Sequence, residues 1–344
     1  MLYHINRTLM IKKAQESLIN EKRPQSLFTE AMIFILVAMI ATLPQGFVST
    51  IGLFIIMFTD PTFWNLAAAE TVDPDAIAEY SLQLTQNLPQ WYFVVLLASS
   101  GFMILAAIVY CKAFQKRDLY SIGFSKHGFA LEYLVGALAG LVMISLPVLV
   151  CHLTGAITIT VSNSIDPLTI FLFFVAFMLQ GMGEEALFRG YLMTSISRRH
   201  HIWVAILFNS LMFAAFHMGN ASFGIIPFLN ITLFGIFASV LMLKRGNIWA
   251  AGAIHSLWNF AQGNVFGLNV SGNPKFASLF SSTQGEVGAI LSGGDFGPEG
   301  GLGVTVVLLV AILVSLMLKT KSCEQVEEAP EKIKIDFDAN SANH

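Results

Sequence analysis

Residues 167–195 read PLTIFLFFVAFMLQGMGEEALFRGYLMTS. This stretch is long enough to cross a bilayer, which takes about 20 mostly apolar residues. Its apolar run is interrupted by Glu184, Glu185 and Arg189. Ionisable residues within a spanning helix are costly, so they are by default candidates for function. The stretch therefore predicts a transmembrane helix that contributes polar groups to a site.

The composition of the whole chain indicates a membrane protein. Of the 344 residues, 55% are hydrophobic and 12% are Asp, Glu, Lys or Arg, whereas soluble domains contain about 25% charged residues. The net charge of −3 offers no basic face for a nucleic acid. Three Cys are too few for a disulfide framework or a thiolate metal site. The composition excludes an ordinary soluble enzyme, a nucleic-acid-binding protein and a disordered scaffold.

The apolar stretches predict an all-α, polytopic integral membrane helix bundle with about eight transmembrane helices. The predicted spans lie near 31–57, 91–112, 131–153, 167–195, 202–220, 223–243, 248–266 and 301–319. The other predicted segments are a cytoplasmic N-terminal tail (1–30, a membrane-surface helix or a solvated segment), a membrane-embedded domain (31–320) that includes an ordered Gly-rich outer loop (267–300), and a disordered acidic C-terminal tail (321–344).

The distribution of Lys and Arg predicts the orientation in the membrane, because cytoplasmic loops are enriched in these residues. Basic residues occur in the N-terminal tail and in alternate connections between the predicted spans. The connection 58–90 instead contains five acidic residues and no Lys or Arg. We therefore expect both termini to lie in the cytoplasm.

The first polar motif is Glu184-Glu185-x-x-x-Arg189. Glu185 and Arg189 are four residues apart, so they share a helix face and can form an ion pair. Glu184 points about 100° away from Glu185 and can face a partner helix. The structural alternative is that the charged residues mark the cytoplasmic end of the span, but hydrophobic residues continue beyond them.

The other two polar motifs centre on His217 and on His255 with Asn259. Each motif alone is explained by interhelical hydrogen bonding. Counted from a turn near 198–202, Glu184 and His217 lie at similar depth, roughly 21–23 Å along their helices. His255 and Asn259 lie roughly 12–18 Å from their own cytoplasmic end, so helix tilt is needed to bring all four together.

Glu184, His217, His255 and Asn259 in one hydrated pocket suit peptide-bond hydrolysis. In one scheme, Glu184 and His217 deprotonate a water as general base, and His255 and Asn259 donate hydrogen bonds to the oxyanion. In the other scheme, Glu184, His217 and His255 bind zinc and leave the fourth position for water. No H-E-x-x-H motif is present, and the sequence does not choose between the schemes.

The ordered set Glu184-Glu185-x-x-x-Arg189, Phe213-x-x-x-His217 and His255-x-x-x-Asn259 resembles the CPBP family. This family contains the type II CAAX prenyl endopeptidases and the bacteriocin-processing or immunity membrane proteins known as Abi proteins. The resemblance covers about residues 165–265 and implies an intramembrane endopeptidase, of the metalloprotease or the glutamate protease type, whose site opens toward the cytoplasm. The active-site residues that it implies are Glu184, Glu185, Arg189, His217, His255 and Asn259, with Glu184, His217 and His255 as metal ligands if the zinc scheme holds.

The expected partners are the lipid bilayer and a peptide or lipidated protein substrate, without nucleic acid, and the expected cofactor is zinc or none. The expected location is a bacterial plasma membrane. One alternative is a non-catalytic membrane scaffold or bacteriocin immunity factor. A second is a proton-coupled transporter that uses Glu184, His217 and His255 as a relay, although the sequence lacks the repeat halves and paired broken helices of such proteins.

Overall fold

The computed structural model describes residues 9–20, 26–69, 71, 73–126, 128–285 and 288–320. Within these ranges the chain is a bundle of α-helices with one two-stranded sheet, which confirms the predicted all-α membrane bundle. The predicted C-terminal tail, 321–344, lies outside the described residues. The helices are α1 (Leu9–Glu16), α2 (Leu27–Thr59), α3 (Pro61–Ala67), α4 (Pro74–Gln86), α5 (Gln90–Ser99), α6 (Phe102–Ala113), α7 (Phe129–Leu153), α8 (Pro167–Glu185), α9 (Thr194–Ser197), α10 (Ile202–Phe216), α11 (Ile225–Arg245), α12 (Trp249–Phe260), α13 (Ala289–Ser292) and α14 (Leu302–Met317), and the strands are β1 (Ile157–Val161) and β2 (Phe280–Gln284).

Five helical segments are long and apolar enough to cross a membrane by length and composition. These segments are Leu27–Thr59, Gln90–Ala113, Phe129–Leu153, Pro167–Ser197 and Ile225–Arg245. The other three predicted spans are present as the shorter helices α10, α12 and α14. The predicted span 202–220 is too long at its C-terminal end, because α10 stops at Phe216 and the chain then turns, with Ser222 at a φ of +57°.

Small residues allow α12 to pack closely against α7 and α8. A Cβ at Gly140 of α7 would lie 2.5 Å from the carbonyl oxygen of Ile254. A Cβ at Gly181 of α8 would lie 2.5 Å from the hydroxyl of Ser256. Small residues at helix interfaces let backbones approach in this way in membranes. The close contact places the polar face of α12 directly beside the acidic end of α8.

The Gly-rich loop 267–300 is ordered over the residues described within it and folds back onto the bundle. Its strand β2 pairs antiparallel with β1, with Ile157 opposite Gln284. Farther along, Asn230 of α11 donates a hydrogen bond of 2.7 Å to the carbonyl oxygen of Glu299. The loop therefore reaches the same end of the bundle as the polar residues of the spans.

The N-terminal segment is helical where it is described. Helix α1 buries Met10, Ile11 and Ala14 and packs near Tyr120–Ile122 and α9. These apolar contacts attach residues 9–20 to the bundle.

Candidate active site

The two acidic residues end α8, and the chain continues as a π-helix over Ala186–Met193. Such π segments are uncommon and often occur at functional sites. Arg189 Nη1 donates to Glu185 Oε1 at 2.9 Å, and both side chains are fully buried. The guanidinium also lies over the ring of Phe213 at 4.2 Å. The ion pair expected from the spacing is therefore present, and it lies in the protein interior.

His255 bridges the two neighbouring carboxylates. Its Nδ1 lies 2.9 Å from Glu185 Oε1, and its Nε2 lies 3.6 Å from Glu184 Oε2. An ionised carboxylate only accepts hydrogen bonds, so Nδ1 carries a proton and donates a hydrogen bond to Glu185. Glu185 thus fixes the orientation of the ring and directs Nε2 toward Glu184.

Gln180 connects Glu184 to Asn259. Its Nε2 donates to Glu184 Oε1 at 2.7 Å, and its Oε1 accepts from Asn259 Nδ2 at 3.0 Å. Gln180 is not among the residues predicted from the sequence, although it is a polar residue one helical turn before Glu184 in an apolar run. The amide of Asn259, which is expected to donate to an oxyanion, donates one hydrogen bond to Gln180 and lines the same cavity as Glu184.

His217 lies immediately after the last residue of α10. Its Nδ1 is 2.7 Å from the carbonyl oxygen of Phe213. A carbonyl oxygen only accepts, so Nδ1 is the protonated nitrogen, and the Nε2 of the neutral ring remains an acceptor.

A cavity brings the predicted residues together. Its empty volume is about 1120 Å³, including its mouth, and Glu184, His217, His255 and Asn259 all line it. The predicted difference in depth does not keep them apart, because counting from the loops assumes helices parallel to the membrane normal, whereas spanning helices tilt. Glu185 and Arg189 do not line the cavity and are completely buried.

A second carboxyl group, from the Gly-rich loop 267–300, adjoins this cavity. Glu299 Oε2 accepts hydrogen bonds from both the backbone N–H and the hydroxyl of Ser271, each at 2.7 Å. Glu299 lines a small side cavity together with His217, His255 and Asn259. Desolvation raises the pKa of the Glu299 carboxyl, while the hydrogen bonds from Ser271 and the electrostatic effect of His217 and His255 act in the opposite direction. Glu299 is not among the residues predicted from the sequence, which predicts only an ordered loop over 267–300.

The zinc scheme is not supported by the arrangement of the side chains. Among the residues that the structure describes, no three His, Cys, Asp or Glu side chains form a group that could hold a metal ion. Glu184, His217 and His255 line one cavity, and the Nδ1 contacts of the two histidines are of the kind that metal-binding histidines make through their second ring nitrogen. The zinc scheme lacks support because the three side chains do not form such a group in this arrangement.

The fold and the site define a multi-pass membrane protein with a cavity lined by acidic, imidazole and amide groups among its helices. Residues 166–261 match the family model described as type II CAAX prenyl endopeptidase Rce1-like. This segment contains all six predicted site residues, and the match confirms the resemblance to the CPBP family of CAAX proteases. No curated protein and no solved structure matches the chain.

Proposed function

We propose that this protein is an intramembrane endopeptidase that hydrolyses a peptide bond of a membrane-associated protein or peptide. The observation that supports this proposal most directly is the environment of Glu184. Gln180 holds one oxygen of this carboxylate, and the other oxygen, Oε2, has no hydrogen-bond partner within the described structure. A carboxylate with one free oxygen beside a cavity can bind and deprotonate a water.

The cleavage steps follow from the orientation of the side chains. The attacking water donates one hydrogen to Glu184 Oε2 and the other to the acceptor Nε2 of His217. As the water oxygen bonds to the scissile carbonyl carbon, Glu184 takes its proton, and the carbonyl oxygen becomes an oxyanion. When the C–N bond breaks, Glu184 returns that proton to the leaving nitrogen, which releases an amine and a carboxylic acid.

In its protonated form, His255 stabilises the oxyanion. Its Nδ1 donates to Glu185, so Nε2 can donate to the substrate only when the ring is an imidazolium. The adjacent negative charge of Glu185 favours that form. Asn259 acts indirectly, since it orients the Gln180 amide that holds Glu184. We further propose that the protein lies in a bacterial plasma membrane with both termini in the cytoplasm.

The test is cleavage of a membrane-bound reporter by the wild type, Glu184→Gln and His217→Ala, with Glu79→Gln as the control because Glu79 is exposed on α4. We expect no cleavage by the first two variants, normal cleavage by the control, and equal amounts of folded protein in all. Cleavage that is unchanged in both site variants would favour a binding scaffold and refute the proposed catalytic role.

A further inference from the structure

We propose that Glu299 is a positioning residue of the active site, and that it acts through Ser271 on the turn that carries His217. This inference rests on the proposed endopeptidase function and adds a residue of the Gly-rich loop 267–300 to it. It follows from a continuous series of hydrogen bonds that runs from helix α11 through this loop to the turn after α10.

His217 depends on support from outside its own helix. It follows the last residue of α10, and the turn beyond it is closed by the backbone N–H of Asn220, which donates to the carbonyl oxygen of His217 at 3.0 Å. A side chain that takes part in catalysis has to be held within about 0.5 Å of its productive position. Other parts of the chain therefore have to fix the turn that carries His217.

The loop 267–300 supplies this support at Ser271 and Gly272. The side chain of Asn220 donates from Nδ2 to the carbonyl oxygen of Ser271 at 2.8 Å. Gly272, at a φ of +80°, lies so close to the same turn that a Cβ there would be 2.2 Å from the carbonyl oxygen of Ala221. The backbone of the loop is therefore in direct contact with the turn just after His217.

Glu299 holds Ser271 in the conformation that makes this contact. Ser271 has a φ of +48°, in the left-handed region, where a residue other than glycine is strained and persists only when its surroundings determine it. Glu299 Oε2 accepts hydrogen bonds from both the backbone N–H and the hydroxyl of Ser271, each at 2.7 Å. The carbonyl oxygen of Glu299 is fixed in turn by Asn230 of α11. Glu299 thus connects a long helix of the bundle to the turn of His217.

The location of Glu299 fits a role at the site. Glu299 lines the small side cavity together with His217, His255 and Asn259. Ser271 lines both this side cavity and the main cavity. A displacement of Ser271 would therefore change the cavity wall beside His217 as well as the turn that carries it.

The experiment separates the acceptor oxygen of Glu299 from its charge. Glu299→Gln keeps an oxygen that can accept both hydrogen bonds from Ser271 but removes the charge, whereas Glu299→Leu removes both. Asp295→Leu is the matched control, because Asp295 is an exposed carboxylate of the same loop. Each protein is assayed for reporter cleavage in nanodiscs, for Tm by differential scanning fluorimetry, and for the tautomer of the His217 ring by ¹⁵N NMR, with the signals assigned from His217→Ala.

We expect Glu299→Leu to lower kcat by about tenfold or more with little change in KM, because a displaced His217 no longer aligns the attacking water. Glu299→Gln should keep most of the wild-type kcat, and Asp295→Leu should keep all of it. The wild-type ring should show one tautomer, with the proton on the Nδ1 that donates to Phe213. Glu299→Leu should show a mixture of both tautomers, because its turn no longer holds that hydrogen bond.

Two results overturn the inference. One is a Glu299→Leu protein whose Tm falls while kcat and the His217 signals stay at wild-type values, since the loop contact would then be a structural tether only. The other is an equal loss of kcat in Glu299→Gln and Glu299→Leu, since the charge would then be required instead of the acceptor oxygen. If Glu299→Leu does not fold, Ser271→Ala removes one of the two hydrogen bonds and gives the same test with a smaller expected loss. Cleavage by Glu184→Gln that is as fast as by the wild type overturns the proposed function itself, so the two failures are distinguishable.

Discussion

Substitutions at Glu185 and Arg189 should affect the free energy of unfolding and the cleavage activity of the protein differently. In Glu185→Gln the side chain keeps its shape, but Arg189 loses its only carboxylate hydrogen-bond partner within the described structure. Two of its guanidinium nitrogens, Nε and Nη2, already lack hydrogen-bond partners there. Breaking a buried ion pair on one side leaves an uncompensated charge, which costs about 3–5 kcal/mol in the free energy of unfolding.

The double variant Glu185→Gln/Arg189→Met removes the stranded cation. We expect it to recover most of the lost stability, because replacing both members of a buried pair with neutral groups is often close to neutral. We do not expect it to recover activity, since His255 still lacks the negative charge that stabilises its imidazolium. Loss of such transition-state stabilisation lowers kcat by about 100-fold or more.

The free energy of unfolding and kcat are both measured on the same purified protein in detergent. Unfolding is followed by far-UV circular dichroism while sodium dodecyl sulfate replaces a mild detergent, and cleavage is followed with the membrane reporter. Glu79→Gln again serves as the control. A double variant as unstable as the single one would refute the argument that the buried charge of Arg189 causes the loss, and a double variant with normal kcat would refute the role of Glu185 in orienting and charging His255.

Three further predictions concern Gln180, Glu299 and metal dependence. Gln180→Leu should lower kcat by about tenfold or more with little change in KM, because Glu184 loses its hydrogen-bond donor. A normal kcat for this variant in steady-state assays would contradict the prediction. Burial raises the pKa of Glu299 above its ordinary value of 4.5. The wild type should therefore lose thermal stability relative to Glu299→Gln as the pH rises through the raised pKa. Differential scanning fluorimetry measures this loss, and Tm curves that run parallel with pH for the two proteins would contradict it. Cleavage should persist in a sample that has been treated with a chelator and shown by metal analysis to be free of metal. If chelation abolished cleavage and added zinc restored it, the zinc scheme would be supported.

The sequence predicted the main elements of the fold because lipid imposes a simple rule on composition. Long apolar runs become helices, and the helix positions were recovered at most of the predicted spans. The errors occur at helix ends, as in α10, where the chain turns after Phe216. A local conformation such as that of Ser222 depends on contacts that hydropathy does not describe.

The sequence predicted most of the candidate site residues that interrupt apolar spans. It did not predict the one that lies in a loop, where polar residues are common. Glu184, His217, His255 and Asn259 stood out because polar groups in apolar spans are expensive. Glu299 did not, because a carboxylate in a Gly-rich loop is unremarkable until the loop is known to fold over the cavity. Its position depends on contacts with Asn230 and Ser271 that are 69 and 28 residues distant in sequence.

Glu184 and Glu185 are neighbouring residues of one type that suit different roles in the proposed mechanism. A rotation of about 100° between neighbours places their carboxylates in different surroundings. The side chain of Glu185 is 0% exposed and is bound to both Arg189 and His255, so its carboxylate orients the His255 ring and places a negative charge beside it. The side chain of Glu184 is 16% exposed, is held by a neutral amide and keeps an oxygen free at the cavity. Because a neutral amide fixes Glu184 without neutralising it, Glu184 is suited to accept a proton, whereas Glu185 is suited to hold a proton on its neighbour.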